Sequence, residues 1–222
     1  MSEFNDTPND PIENGLDSSE LLSEAKTSVG APNSKKSSFL LNLIDYVELF
    51  AIAVTIVIVL FSVAFRTCTV DGDSMNNTLI NGEVLIVSDL FYTPDREDII
   101  VFHQTGDKPT DRNMPLVKRV IGVGGDTVKI DFSSWTVTVT DKDGNSKILD
   151  EPYIYVDSKY PHILRGTHEF VVPEGSLFVL GDNRNHSLDS TSQSSIGFVD
   201  ERRVIGKVVI RISPISKFGT VN

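Results

Sequence analysis

The 222-residue chain predicts a mainly β fold, in which an N-terminal transmembrane helix leads into an exterior all-β domain with an inserted β subdomain. Three observations carry this expectation. Residues 1–38 are polar, acidic and rich in Ser, Asn and Pro. Leu49 to Phe65, LFAIAVTIVIVLFSVAF, is an uninterrupted uncharged run. Everything after it consists of short β-branched and aromatic runs separated by Gly, Asp, Asn and Pro.

The first 38 residues cannot bury enough apolar surface to offset the entropy of ordering, so they read as a disordered acidic cytoplasmic tail. With so few Lys and Arg, the tail is expected to act as a spacer rather than to grip anionic lipid. The apolar run gives a helix of roughly 25 Å, short of a hydrocarbon core of about 30 Å. FLLNLIDYVEL upstream extends it, with Asp45 and Glu48 near the headgroups, and the anchor is placed at 39–66. A buried core helix is the competing reading. A cleaved secretory signal fits poorly, because no small-x-small site follows closely. Lys35 and Lys36 precede the span and only Arg66 follows it at once, which puts the N-terminus in the cytoplasm and the rest outside.

The strand-like runs EVLIVSDLFY, DIIVFHQ, LVKRVIGV, DTVKIDF, WTVTVT, SKILD, HEFVV, SLFVLGD and VIGKVVIRIS make up the exterior domain. TVTVTDKDGNSKIL reads as a hairpin turning at Asp143-Gly144. The more polar stretch 132–172 is taken as the insertion, leaving 67–131 and 173–215 as the main β-domain.

A formal charge of −11 without a basic stripe argues against nucleic acid as a partner. A single cysteine, Cys68, excludes an internal disulfide framework and a multi-cysteine zinc site, and the 4 histidines show no HExxH-like spacing. Neither a metal nor a cofactor is expected.

VDGDSMNNTL places Ser74 among turn residues, where an ordinary turn serine and a nucleophile are both open readings. The histidines that could activate it are His103, His162, His168 and His186, of which His186, inside GDNRNHSLDS, is the best placed. The other route is a neutral lysine. Moving a lysine pKa from about 10.4 to about 7–8 disfavours the charged form by roughly 4 kcal/mol, which requires apolar burial. Lys118, in PLVKRVIGVGG, lies among Leu116, Val117, Val120 and Ile121, and strand alternation points it away from Val117 and Arg119. If that face is the core the amine is desolvated; an exposed strand lysine is the other possibility.

Taken together, GDSM shortly after a membrane span, EDIIVF, LVKRVIGVGGD, LDEPYI and VPEGSLFVLGDNRNHSLDS followed by GFV resemble, in order, the motif boxes of bacterial type I signal peptidases. The resemblance runs from about Val70 to Ile212. It implies an extracytoplasmic catalytic domain with Ser74 as the acylating nucleophile, Lys118 as the general base and Ser187 as the serine that hydrogen-bonds and aims the amine. Asp182 and Asp189 match acidic positions with structural roles, and Arg119 is expected to pair with Asp189 in support of the dyad. The Ser74 backbone N–H would serve as oxyanion donor. Met75 would pack under the substrate, with Asp71, Gly72, Asp73, Leu116 and Val117 in the lining segments. The implied substrates are signal peptides of secretory preproteins, bound by strand addition with shallow pockets for small side chains at −1 and −3. The lipid bilayer is the implied surrounding, the secretion translocon a further expected partner, and the bacterial cell membrane the location.

Several positions depart from the family pattern. Gly72 stands where some members carry a hydroxyl, Asn77 and Gly124 where proline is common, His186 for a usual asparagine and Thr191 for a usual arginine. Other classes stay in view. A Ser-His signal peptidase would need a histidine at position 118, and a sortase-like transpeptidase would need a cysteine deeper in the β-domain than Cys68. A catalytically silent membrane-anchored β-domain that binds secreted or cell-wall partners is the alternative from outside the hydrolases.

Overall fold

The computed structural model describes residues 34–104, 115–157, 159, 161–192, 194 and 196–221. The acidic tail up to position 33 lies outside them. The described residues fall into two compact units divided between Ile56 and Val57.

Helix α1, Ser34–Ala64, carries a 23-residue stretch, Asn42–Ala64, of mean hydropathy 2.7. At about 1.5 Å per residue this is roughly 34 Å, enough to cross a bilayer. From position 42 to 63 the side chains are mostly apolar and all exposed, Phe50 by 71%. Such a surface needs an apolar solvent rather than water. Two of its hydroxyls are satisfied within the helix: Thr55 donates to the Ala51 carbonyl and Ser62 to that of Ile58.

Eleven strands follow among the described residues: β1 Phe65–Thr69, β2 Val84–Ser88, β3 Ile99–His103, β4 Pro115–Gly122, β5 Thr127–Asp131, β6 Thr136–Thr140, β7 Ser146–Ile148, β8 Thr167–Val171, β9 Ser176–Leu180, β10 Val199–Asp200 and β11 Val204–Ser213. They form an antiparallel seven-stranded sheet in the order β1-β2-β11-β3-β4-β9-β10 and a four-stranded one in the order β7-β6-β5-β8. Four successive residues of β3, Ile99 to Phe102, are buried, so its apolar run reflects a strand covered on both faces. Ile99 and Val101 join Val70, Met75, Leu79, Leu85, Val87 and Val208 on one face. Ile100 and Phe102 join Val120, Leu177, Val179 and Val199 on the other.

A third cluster links the sheets. Ile121, Phe178 and Leu180 from the larger pack with Val128, Ile130, Val137 and Trp135 of the smaller. The four-stranded sheet begins at Thr127, ahead of the boundary at 132 drawn from polarity. Val128 and Ile130 are apolar, but they pair with β6 and β8 rather than with the larger sheet. β1 starts at Phe65, directly where the helix ends. It pairs Cys68 with Leu85, a strand that its weakly patterned sequence FRTCT did not announce. The β6–β7 hairpin turns through Gly144 at φ 86, and the Asp141 carboxylate accepts from the backbone of Asp143 and Asn145.

Candidate active site

Ser74 sits in the turn that links β1 to β2, and the turn is anchored from below and from one side. Met75 and Leu79 are buried in the sheet core, and the Leu79 N–H donates to the Met75 carbonyl at 2.9 Å. Asn183 clamps the chain beside the hydroxyl: its N–H donates to the Ser74 carbonyl and its Nδ2 to the Asp73 carbonyl, each at 3.0 Å. The Gly72 N–H is taken by Asn81 at 3.0 Å. Gly72 has φ 101, a left-handed conformation that a residue with a Cβ adopts only under strain, so the turn favours glycine at that position. Among the described residues, the Ser74 N–H has no hydrogen-bond acceptor.

Lys118 lies on β4 opposite Ile100 and shares a face with Leu116 and Val120, which pack into the second apolar cluster. Its side chain therefore runs through the core and is 2% exposed. The Nζ lies 2.7 Å from the Ser74 Oγ and donates to the Val117 carbonyl at 3.0 Å. Burial drives the amine down to a pKa of about 8, against the opposing pull of the Asp189 and Asp182 charges. The buried-face alternative for Lys118 is the one the structure adopts.

Arg119 pairs with Asp182, not with Asp189 as expected. Its Nε donates to Oδ1 at 2.9 Å and its Nη2 to Oδ2 at 2.8 Å, with side chains 3% and 1% exposed. The register explains the choice. Leu180 lies opposite Arg119, and Asp182, two residues on, shares its face. Arg119 also donates to the Glu97 carbonyl and lies 3.7 Å from the centre of the Tyr153 ring. The Thr78 hydroxyl donates to Asp182 at 2.5 Å, so the same carboxylate holds β4 and the turn that bears Ser74. Asp189 instead accepts from the Gly181 N–H, the Thr191 N–H and the Thr191 Oγ1. Thr191 thus gives Asp189 two bonds.

Ser187 also differs from expectation. Its Oγ is buried without a hydrogen-bond partner, and the Lys118 amine is committed to Ser74 and Val117. Ser187 nonetheless packs close: a Cβ on Gly181 would lie 2.2 Å from the Ser187 Oγ and 2.5 Å from the Ser74 carbonyl oxygen. Only glycine permits that approach. Of the lining residues, Asp71 and Gly72 are exposed, Asp73 is half-buried and Met75 is core. Val117 packs towards Met75, whereas Leu116 packs on the opposite face.

The histidines take other positions. His103 is exposed, His162 stacks on Phe132, and His168 meets the same ring edge-on. The His186 Nδ1 lies 2.9 Å from the Asp73 carboxylate, one residue before Ser74 rather than on its hydroxyl. Cys68 is half-buried on β1, and burial pushes its thiol up. Residues not singled out from the sequence complete the support. Asn183 and Gly181 lay within GDNRN, and the buried Arg184–Glu151 pair, with Tyr153 donating to Glu151, joins that box to LDEPYI. Thr78 carried no sequence signal.

The chain belongs to the family described as signal peptidase, peptidase S26, whose model matches residues 43–213. Signal peptidase IB of Staphylococcus aureus (strain Mu50) is 32% identical over 192 residues, 79% of this chain and 92% of that protein. Signal peptidase I of Bacillus licheniformis is 34% identical over 182 residues, 78% of this chain and 88% of its own length. The crystal structure of a signal peptidase I from Enterococcus faecalis V583 is 33% identical and covers 53% of this chain and 98% of its own, with a TM-score of 0.38.

Proposed function

We propose that the protein is a membrane-bound serine endopeptidase that removes signal peptides from secreted preproteins, with Ser74 as nucleophile and Lys118 as general base. The observation that carries this reading is the 2.7 Å contact between the Ser74 hydroxyl and an amine held at about pKa 8 inside an apolar core.

The neutral amine accepts the Ser74 proton as Oγ attacks the scissile carbonyl carbon. The oxyanion then meets the Ser74 N–H, whose lack of an internal acceptor supports that role. Collapse breaks the C–N bond, and the Lys118 ammonium returns the proton to the leaving amine. The lysine, neutral again, takes a proton from water as the hydroxide attacks the ester. Collapse breaks the bond to the Ser74 Oγ, the Lys118 ammonium returns its proton to that oxygen, and the signal-side carboxylic acid leaves and ionises in solvent. Asp182, Arg119, Asp189 and Ser187 position this pair rather than transfer protons.

Substrate entry by strand addition is supported by β4. Pairing with β9 ends at Arg119, and among the described residues Pro115–Lys118 have no strand neighbour on that flank. An extended peptide laid there presents its carbonyl to Ser74, with Asp71–Met75 along its other side. The apolar stretch Asn42–Ala64 supports anchorage in the bilayer, and Lys35 and Lys36 ahead of that stretch support a cytoplasmic N-terminus with the β-domain outside.

Purified in detergent with secretory precursors, the full chain is expected to cut once, after a small-x-small sequence, and to lose that cut when either small residue is made bulky. Cys68→Ser is expected to leave the rate within about twofold, since the thiol lies outside the dyad. No cut in any precursor would return the protein to the class of silent binding domains.

A further inference from the structure

Beside Ser187 the surface opens into a pocket of about 610 Å³, within the size range of ligand sites. Leu164 and Phe170, half-buried, belong to its apolar lining, while Ile163 and Leu188 remain 94% and 48% exposed. Two of its lining residues, Asn185 and Ser187, carry buried side-chain oxygens with no hydrogen-bond partner. Apolar side chains left exposed around a concave surface call for an occupant that brings apolar groups of its own. An extended peptide brings them through its side chains.

We propose that this pocket receives the residues just C-terminal to the scissile bond, the first residues of the mature protein, and that it favours apolar side chains there. The inference rests on the peptidase reading above and adds a specificity element to it. Its direction follows from the layout of the site. The acyl side of the substrate occupies the flank of Pro115–Lys118 and the segment Asp71–Met75, neither of which lines this pocket. The two regions meet at the dyad, because Ser187 and the Ser74 carbonyl oxygen crowd the same point on Gly181. A chain that passes Ser74 with its signal side on β4 leaves past Ser187 and Leu188.

The test is a competition between precursors identical up to the cut and differing only in Leu or Asn at the first three mature positions, with the full chain in detergent. The expected result is a preference for Leu of roughly tenfold in kcat/KM. Ile163→Asn and Leu188→Asn each reduce that ratio towards unity. Both side chains are substantially exposed, so folding is not at stake, and a ratio within one reaction is independent of how much enzyme is active. Equal rates for the two precursors with the wild type, or an unchanged ratio in both variants, overturn the proposal while leaving the peptidase intact. Absence of any cut by the wild type overturns the peptidase reading itself.

Discussion

Lys118→Met is expected to abolish turnover and at the same time to stabilise the fold at neutral pH. Methionine fills the same channel through the core but cannot accept the Ser74 proton. Loss of a base from a coupled nucleophile–base pair lowers kcat by on the order of a thousandfold or more, and Ser74→Ala should cost as much. The double variant should lose little beyond either single one, because the two groups act as a unit.

The stability effect follows from burial. The folded pKa of about 8 lies below the unfolded value near 10.4, so between those limits the unfolded chain binds more protons and stability rises with pH. Below about 8 the wild-type fold carries the full cost of a buried ammonium, on the order of 3 kcal/mol. The methionine variant escapes that cost but leaves the Val117 carbonyl without its donor, so a net gain of about 1–2 kcal/mol is expected near pH 7. Calorimetry near pH 7 and again near pH 10.5, where the gain should vanish, checks both signs. A variant that melts below the wild type near pH 7 would contradict the buried-amine assignment.

Asp182→Ala is expected to be the most destabilising single change at the site, by about 3–5 kcal/mol. It leaves the Arg119 guanidinium, 3% exposed, without its carboxylate, and a stranded buried charge costs more than the pair was worth. It also releases the Thr78 hydroxyl, so the turn bearing Ser74 loosens along with β4. Asp182→Asn keeps the volume and one acceptor and should fall between wild type and alanine. Chemical denaturation in detergent gives the values, and a loss below about 1 kcal/mol for Asp182→Ala would mean that Arg119 finds another partner.

The anchor and most strands were legible in the sequence because their signals are local. Uncharged length marks α1, and runs such as IIVF and LFVL mark β3 and β9. The contact between Ser74 and Lys118 was legible only through order and spacing, since a serine in a turn and a lysine on a strand are separately ordinary. What failed depends on register. Whether Arg119 meets Asp182 or Asp189 is decided by the pairing of β4 with β9, and no local pattern shows which residue falls opposite Arg119. The orientation of Ser187 is likewise a matter of packing over Gly181 rather than of motif. β5 looked like part of the larger sheet because its apolar residues match those of its flanks, whereas its hydrogen bonds go elsewhere.

The central claim is that an uncharged Lys118 is the base for Ser74, and the pH dependence of kcat/KM for precursor cleavage tests it most directly. With a base titrating at about 8, the rate should climb tenfold per pH unit from about pH 6 and level off above about 8. A profile that is flat over that range, or that falls as pH rises through it, would contradict the assignment.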